Sequence, residues 1–140
     1  MLPLRLVLDT NVVISGALKP QGLERAALTF ALTPPARLYV SLAILEEYSE
    51  VIARPELRIA PADRKDLLGL IASRSRLIQP SSALTACADP DDNIFLECAD
   101  AARADYLLTG NKRHFPSYWK STKIVNAREL VSIVAPHLGP

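Results

Sequence analysis

Little in this chain invites thiol chemistry, dinucleotide binding or membrane insertion. It has two cysteines, Cys87 and Cys98, too far apart for a C-x-x-C pair and with no histidine cluster beside them, which excludes the zinc and redox sites that such spacing builds. Both are expected as buried or half-buried thiols. Its five glycines form no G-x-G-x-x-G after an apolar run, so the phosphate-binding turn of a Rossmann fold is missing. Neither sign of charge dominates: the formal net charge is +1, which argues against a protein that wraps duplex DNA by bulk charge and leaves any nucleic-acid contact to a local patch. No apolar run reaches the roughly 18 residues of a membrane span. The first residues, which include Arg5 and Asp9, do not make a secretory signal, so a cytoplasmic protein is expected. What is present is a hydrophobic fraction of 49% in 140 residues, enough for one domain over residues 1–140 to bury a core without disulfides or structural metal.

The most informative stretch is Arg5-Leu6-Val7-Leu8-Asp9-Thr10-Asn11. A short apolar run without alternation reads as a strand buried on both faces. In open parallel sheets ligands bind beyond the carboxyl ends of the strands, which is where Asp9 falls. Asp9 also suits the N-cap of the next helix, since Asp, Thr and Asn favour caps and turns.

Beyond it, strand-like and helix-like segments alternate. Val12 to Leu18 reads as a short helix stopped by Lys19-Pro20-Gln21-Gly22, and Leu23 to Leu32 as a second stopped by Thr33-Pro34-Pro35. Arg37 to Ser41 is strand-like, with Ser41 the natural N-cap of a helix from Leu42 to about Ala53. A helix over Ala62 to Ser73 precedes a small extended segment at Arg76-Leu77-Ile78. Asp89-Pro90-Asp91-Asp92 opens a helix reaching about Ala104, followed by strands at Tyr106 to Thr109 and Lys123 to Val125 and a helix over Ala127 to Val134. Strands separated by helices favour a parallel α/β sheet with helices on both faces. The helices at Leu23 and Ala62 are apolar enough to serve as contact surfaces.

Several polar residues stand at equivalent edges of this pattern. On the helix after Ser41, the stripe of Ile44, Leu45, Tyr48, Val51 and Ile52 leaves Glu46 and Glu50 opposite it, whereas Glu47 lies on its flank and can lean into a cleft. Asp89, Asp91 and Asp92 suit a helix start through capping and the helix dipole, yet three close carboxylates repel one another and a cation relieves that repulsion. Periodicity does not choose between Asp91 and Asp92. Asn111, in the polar turn after Tyr106 to Thr109, offers a neutral amide oxygen to a hard cation. Lys112, Arg113 and His114, with Phe115, Tyr118, Trp119 and Lys120 following, form a basic stretch interleaved with aromatics that suits phosphates and unpaired bases.

Taken together, Leu6 to Val12, Ser41 to Tyr48, Asp89 to Asn93 and Ala104 to Asn111 resemble PIN-domain proteins, and among them the VapC-type toxins of bacterial toxin–antitoxin pairs. The resemblance spans nearly the whole chain, with the motifs in family order. It implies a three-layer α/β/α fold and a ribonuclease that uses one or two Mg²⁺ or Mn²⁺ ions on single-stranded RNA. It further implies a cognate antitoxin and often a homodimer. Residue by residue, Asp9 matches the first family acid, Glu47 the second and Asp92 the third. Asn111 stands where many members carry a fourth acid, so Asp89 and Asp91 are the local substitutes, ahead of Asp105, which precedes its strand. Thr10, Asn11, Ser41 and Asn93 are expected to orient these acids through hydrogen bonds. A haloacid-dehalogenase-like phosphatase would need an Asp where Asn11 stands. The remaining rival is a PIN-like module that binds RNA or protein without cutting it.

Overall fold

A computed structural model describes residues 3–135. Arg5–Leu8 (β1) leads directly into Thr10–Leu18 (α1), followed by Leu23–Ala31 (α2), Arg37–Val40 (β2) and Leu42–Ile52 (α3). A 3-10 turn at Pro55–Leu57 precedes Pro61–Arg74 (α4) and Ser75–Leu77 (β3). A second turn at Pro90–Asp92 opens into Asn93–Ala102 (α5), then Tyr106–Leu108 (β4) and a third turn at Lys112–His114. Tyr118–Trp119 (β5), Thr122–Val125 (β6) and Ala127–Val134 (α6) complete the described chain.

Among the described residues the strands form one sheet in the order β3-β2-β1-β4-β6-β5, parallel throughout except for the β5–β6 hairpin. This is an α/β fold with a central, mostly parallel sheet flanked by helices. Leu6, Val7 and Leu8 are each 0% exposed, as expected of a central strand covered on both faces. Each such side chain contributes about 2 kcal/mol relative to exposure. Helix α5 packs on β1, β2 and β4, while α1 packs on α2 and α3, and α2 on α6. Tyr48 of α3 is fully buried and donates its hydroxyl to the Leu8 carbonyl, which fixes α3 against the end of β1. Cys87 and Cys98 are buried and free, and burial pushes their thiols up to about 11 and about 12.

The differences from the expected elements have local causes. Helix α1 starts at Thr10 rather than Val12, because the Asp9 carbonyl already accepts the Val12 and Val13 N–H groups. The helix expected from Asp89 to Ala104 is shorter at both ends. Asp89 takes the Asp91 N–H with its side chain and holds a 3-10 turn, and Arg103 adopts a left-handed conformation (φ 51°) that terminates α5. Strand β5 carries no readable signal in two residues. On α2, Ala27, Leu28 and Ala31 are buried in the core, while Leu23 and Phe30 are half-buried. Helix α4 leaves Leu70 40% exposed. Among the described residues no helix is long and apolar enough to cross a membrane.

Candidate active site

The chain order puts β2 on one side of β1 and β4 on the other, so the crevice beyond their carboxyl ends is a topological switch point. Asp9 stands there, at the N-cap position of α1. Its side chain makes no capping bond; Oδ2 instead accepts the Thr109 hydroxyl at 2.7 Å from the end of β4. The carboxyl is 6% exposed. Burial, reinforced by the charges of Asp92 and Glu47, pushes it up to about 6 although the Thr109 hydrogen bond pulls the other way. Such a group is held where a proton or a cation is wanted.

Glu47 reaches the same crevice from α3, where the Thr10 hydroxyl donates to its Oε2. Glu46 and Glu50 face away, Glu50 pairing with Arg54 at 3.2 Å. Asp92 enters from the turn before α5, again without capping the helix it precedes. Burial and the neighbouring Asp89 charge raise its carboxyl above the ordinary range, while the His114 imidazole opposes them. His114 Nδ1 lies 3.3 Å from Asp92 Oδ2, at the long end for a hydrogen bond. Apart from that imidazole, Asp92 Oδ2 is a buried oxygen with no hydrogen-bond partner among the described residues.

Asp9, Glu47, Asp89, Asp92, Asn111 and His114 share the lining of one cleft of about 480 Å³ with Thr10, Asn11, Arg54 and Glu56. As the side chains stand, no three acidic, thiol or imidazole groups among the described residues close on a single point as a metal shell would. The acids face one another across open space instead. Their donors are carboxylate and amide oxygens, the set a hard divalent cation prefers. The buried Asp92 oxygen and the elevated Asp9 carboxyl are the two features that such a cation would satisfy.

Other sequence-predicted residues are placed differently. Asn11 lines the cleft but acts through the turn, its Oδ1 accepting the Gly110 N–H at 3.1 Å. Ser41 does not reach the acids: its hydroxyl caps α3 by accepting the Ile44 N–H at 3.2 Å. Asn93 is likewise turned to structure, holding the Cys87 N–H at 3.0 Å. Asp89 is committed to the Asp91 N–H, and Asp91 does not line the cleft. Asp105 sits at the opposite end of β4, bonded to the Arg5 N–H. In the basic stretch, Lys112 is paired with Glu129 at 2.8 Å and Phe115 is buried. Trp119 and Lys120 both engage Asp100, beside the start of β6 and thus at the end of the sheet remote from Asp9. Of this stretch, His114 lines the acid cleft, whereas Trp119 and Lys120 lie away from it. Thr109, the residue that orients Asp9, went unremarked in the sequence although it ends its strand as Asp9 ends β1.

Residues 5–113 match the family described as PIN domain. An uncharacterized protein of Methanocaldococcus jannaschii is 30% identical over an alignment of 112 positions that covers 78% of this chain and 72% of that protein. A chain in the crystal structure of VapBC2 from Rickettsia felis bound to a DNA fragment from their promoter is similar in fold, with a TM-score of 0.60 at 16% identity, covering 88% of this chain and 98% of that one.

Proposed function

The chain belongs to the PIN-domain family, and on that premise we propose that it is a divalent-metal-dependent endoribonuclease acting on single-stranded RNA, the toxin of a toxin–antitoxin pair. The observation that carries this reading is the meeting of Asp9, Glu47 and Asp92 in one cleft, where the buried Asp92 Oδ2 has only the His114 imidazole beside it. Neither Asp9 nor Asp92 caps the helix beside it, so capping does not account for either acid. The likeness in fold to a chain of VapBC2 supports the toxin assignment.

Asp9 and Asp92 would hold the principal Mg²⁺ or Mn²⁺, with Glu47 as a further ligand or as the group that orients the attacking water. The ion would supply positive charge for the crowded phosphorane-like transition state and make water a competent nucleophile near neutral pH. The protein supplies placement. Thr109 aims Asp9, Thr10 aims Glu47, and Asn11 holds the Gly110-Asn111 turn that forms one rim. Asn111 can offer an amide oxygen but no charge, so one ion suits the site better than two. Exposed Arg113 and His114 remain the candidates from the basic stretch for phosphate contact. An antitoxin would cover this cleft, and a homodimer would use a surface other than the buried side of α2.

Asn111 favours a second reading as well, a PIN-domain module that binds RNA or protein but has lost cleavage with its fourth acid. Purified protein, free of any partner, separates the two. Single-stranded RNA should be cut in Mg²⁺ or Mn²⁺, cutting should stop with EDTA, and Asp9→Asn should lower the rate about a hundredfold or more. Unchanged cleavage by Asp9→Asn would overturn the mechanism, and tight metal-independent binding without cleavage would favour the module.

A further inference from the structure

The acid cleft has a neighbour. Across a ridge formed by Asn11, Gly110 and Asn111 lies a second cleft of about 500 Å³, and Asn11, Ser15 and Asn111 line both. Its far wall is the start of α6, Asn126 to Arg128, which lies beyond the stretch that matches the family. The two clefts therefore adjoin as one trough.

The chemistry changes across that ridge. On one side stand carboxylates; on the ridge stand two neutral amides; on the other side stands an exposed guanidinium. Asn11 spends its Oδ1 on the Gly110 N–H, which leaves its amide N–H groups to donate. The Asn111 backbone N–H is taken by Thr109, while its side chain is exposed. Around the site Lys112 is paired with Glu129 and Arg54 with Glu50. Arg113 and Arg128 make no ion pair among the described residues, and of the two Arg128 is the one that lines the second cleft. Glu24 is the acid of this second cleft, partly buried on α2, and suits a sugar hydroxyl or a base amino group rather than a phosphate.

We propose that the second cleft seats the nucleotide adjoining the scissile phosphodiester, with Arg128 on its phosphate and the Asn11 and Asn111 amides on its base or ribose. The proposal rests on the nuclease reading for the identity of the ligand. Within the acid cleft the guanidinium of Arg54 is already paired with Glu50, so a polynucleotide held there gains little from it. Over a neutral ridge it can reach Arg128, and guanidinium is matched to phosphate in charge and in shape. A fourth acid at Asn111 would place negative charge on that path. The neutral residue thus has a role in substrate passage, apart from whatever it costs in cation binding.

Binding and cleavage are measured separately. Fluorescence anisotropy of a labelled single-stranded RNA dodecamer is recorded in Mg²⁺ with the cleavage-impaired Asp9→Asn protein, across a salt series. Adding Arg128→Ala should weaken binding about tenfold at low salt and make the salt dependence shallower by about 0.7, the loss of one phosphate contact on a single strand. Arg74→Ala, the same loss of charge on exposed α4, should leave both readouts within about twofold. Arg128 is exposed in the first turn of α6, so its truncation leaves the core intact. An unchanged salt slope in Arg128→Ala, or an equal effect from Arg74→Ala, would overturn the proposal. If the protein binds RNA through Arg128 yet wild type never cuts, the nuclease reading fails and this cleft stands. If wild type cuts and Arg128→Ala changes neither binding nor slope, the cleft assignment fails and the nuclease reading stands.

Discussion

Thr109 Oγ1 donates to Asp9 Oδ2 at 2.7 Å and accepts the Asn111 N–H at 3.0 Å, so one fully buried hydroxyl joins the end of β1 to the turn after β4. Thr109→Val keeps the shape and removes both bonds. Asp9 would then keep its burial without the donor that favours its charged form. We expect Mg²⁺ or Mn²⁺ affinity to fall about 10- to 100-fold, the range for removing a hydrogen bond behind a metal ligand. A metal titration of cleavage checks this, with activity recovering at high metal. A superimposable titration curve would mean that Thr109 does not position Asp9.

The Asp9 carboxyl also makes folding depend on pH. It titrates at about 6 in the folded chain against 3.8 for an ordinary aspartate, chiefly through burial. A raised group favours the fold while protonated, so its contribution is fully present below pH about 4 and is lost as pH rises through about 6. Asp92, also raised, acts in the same direction. In EDTA, urea unfolding should therefore show wild type losing up to about 3 kcal/mol from Asp9 between these limits. Asp9→Asn should not lose that part. Parallel pH profiles for the two proteins would show that Asp9 ionises in the fold at no cost.

Asn111→Asp would place a carboxylate on the rim of both clefts. More charge in the ligand set should tighten divalent binding about tenfold, read by calorimetry with Mn²⁺. Under the trough proposal the same substitution should weaken RNA binding at fixed, saturating metal. No gain in metal affinity would mean that Asn111 does not face the ion.

Much of this was legible in the sequence because the signals were local. The unbroken run Leu6 to Leu8 ending on Asp9, the Ser41 cap and the stripe of α3 each depend on a few neighbouring residues, and the parallel α/β class follows from alternation. The phase of α3 was enough to separate Glu47 from Glu46 and Glu50. What could not be read depends on long-range contact. As small polar residues beside a site, Ser41 and Asn93 read as supports for the acids, yet in the fold each bonds a nearby backbone N–H. The choice between Asp91 and Asp92 turned on a 3-10 turn that periodicity does not describe. The basic stretch failed as a unit because the chain folds back between Phe115 and Thr122, sending Trp119 and Lys120 to Asp100 at the far end of the sheet.

One carboxylate oxygen, Glu129 Oε1, accepts both the Asn126 N–H at 3.0 Å and Lys112 Nζ at 2.8 Å. The first bond closes the capping box of α6; the second ties that helix to the turn that follows Asn111. The segment bearing Asn111 and His114 and the helix bearing Arg128 are thus riveted at a single atom. Because the Lys112 bond is solvent-exposed, its hold on the two walls weakens as salt rises, and the join between the clefts is set by ionic strength.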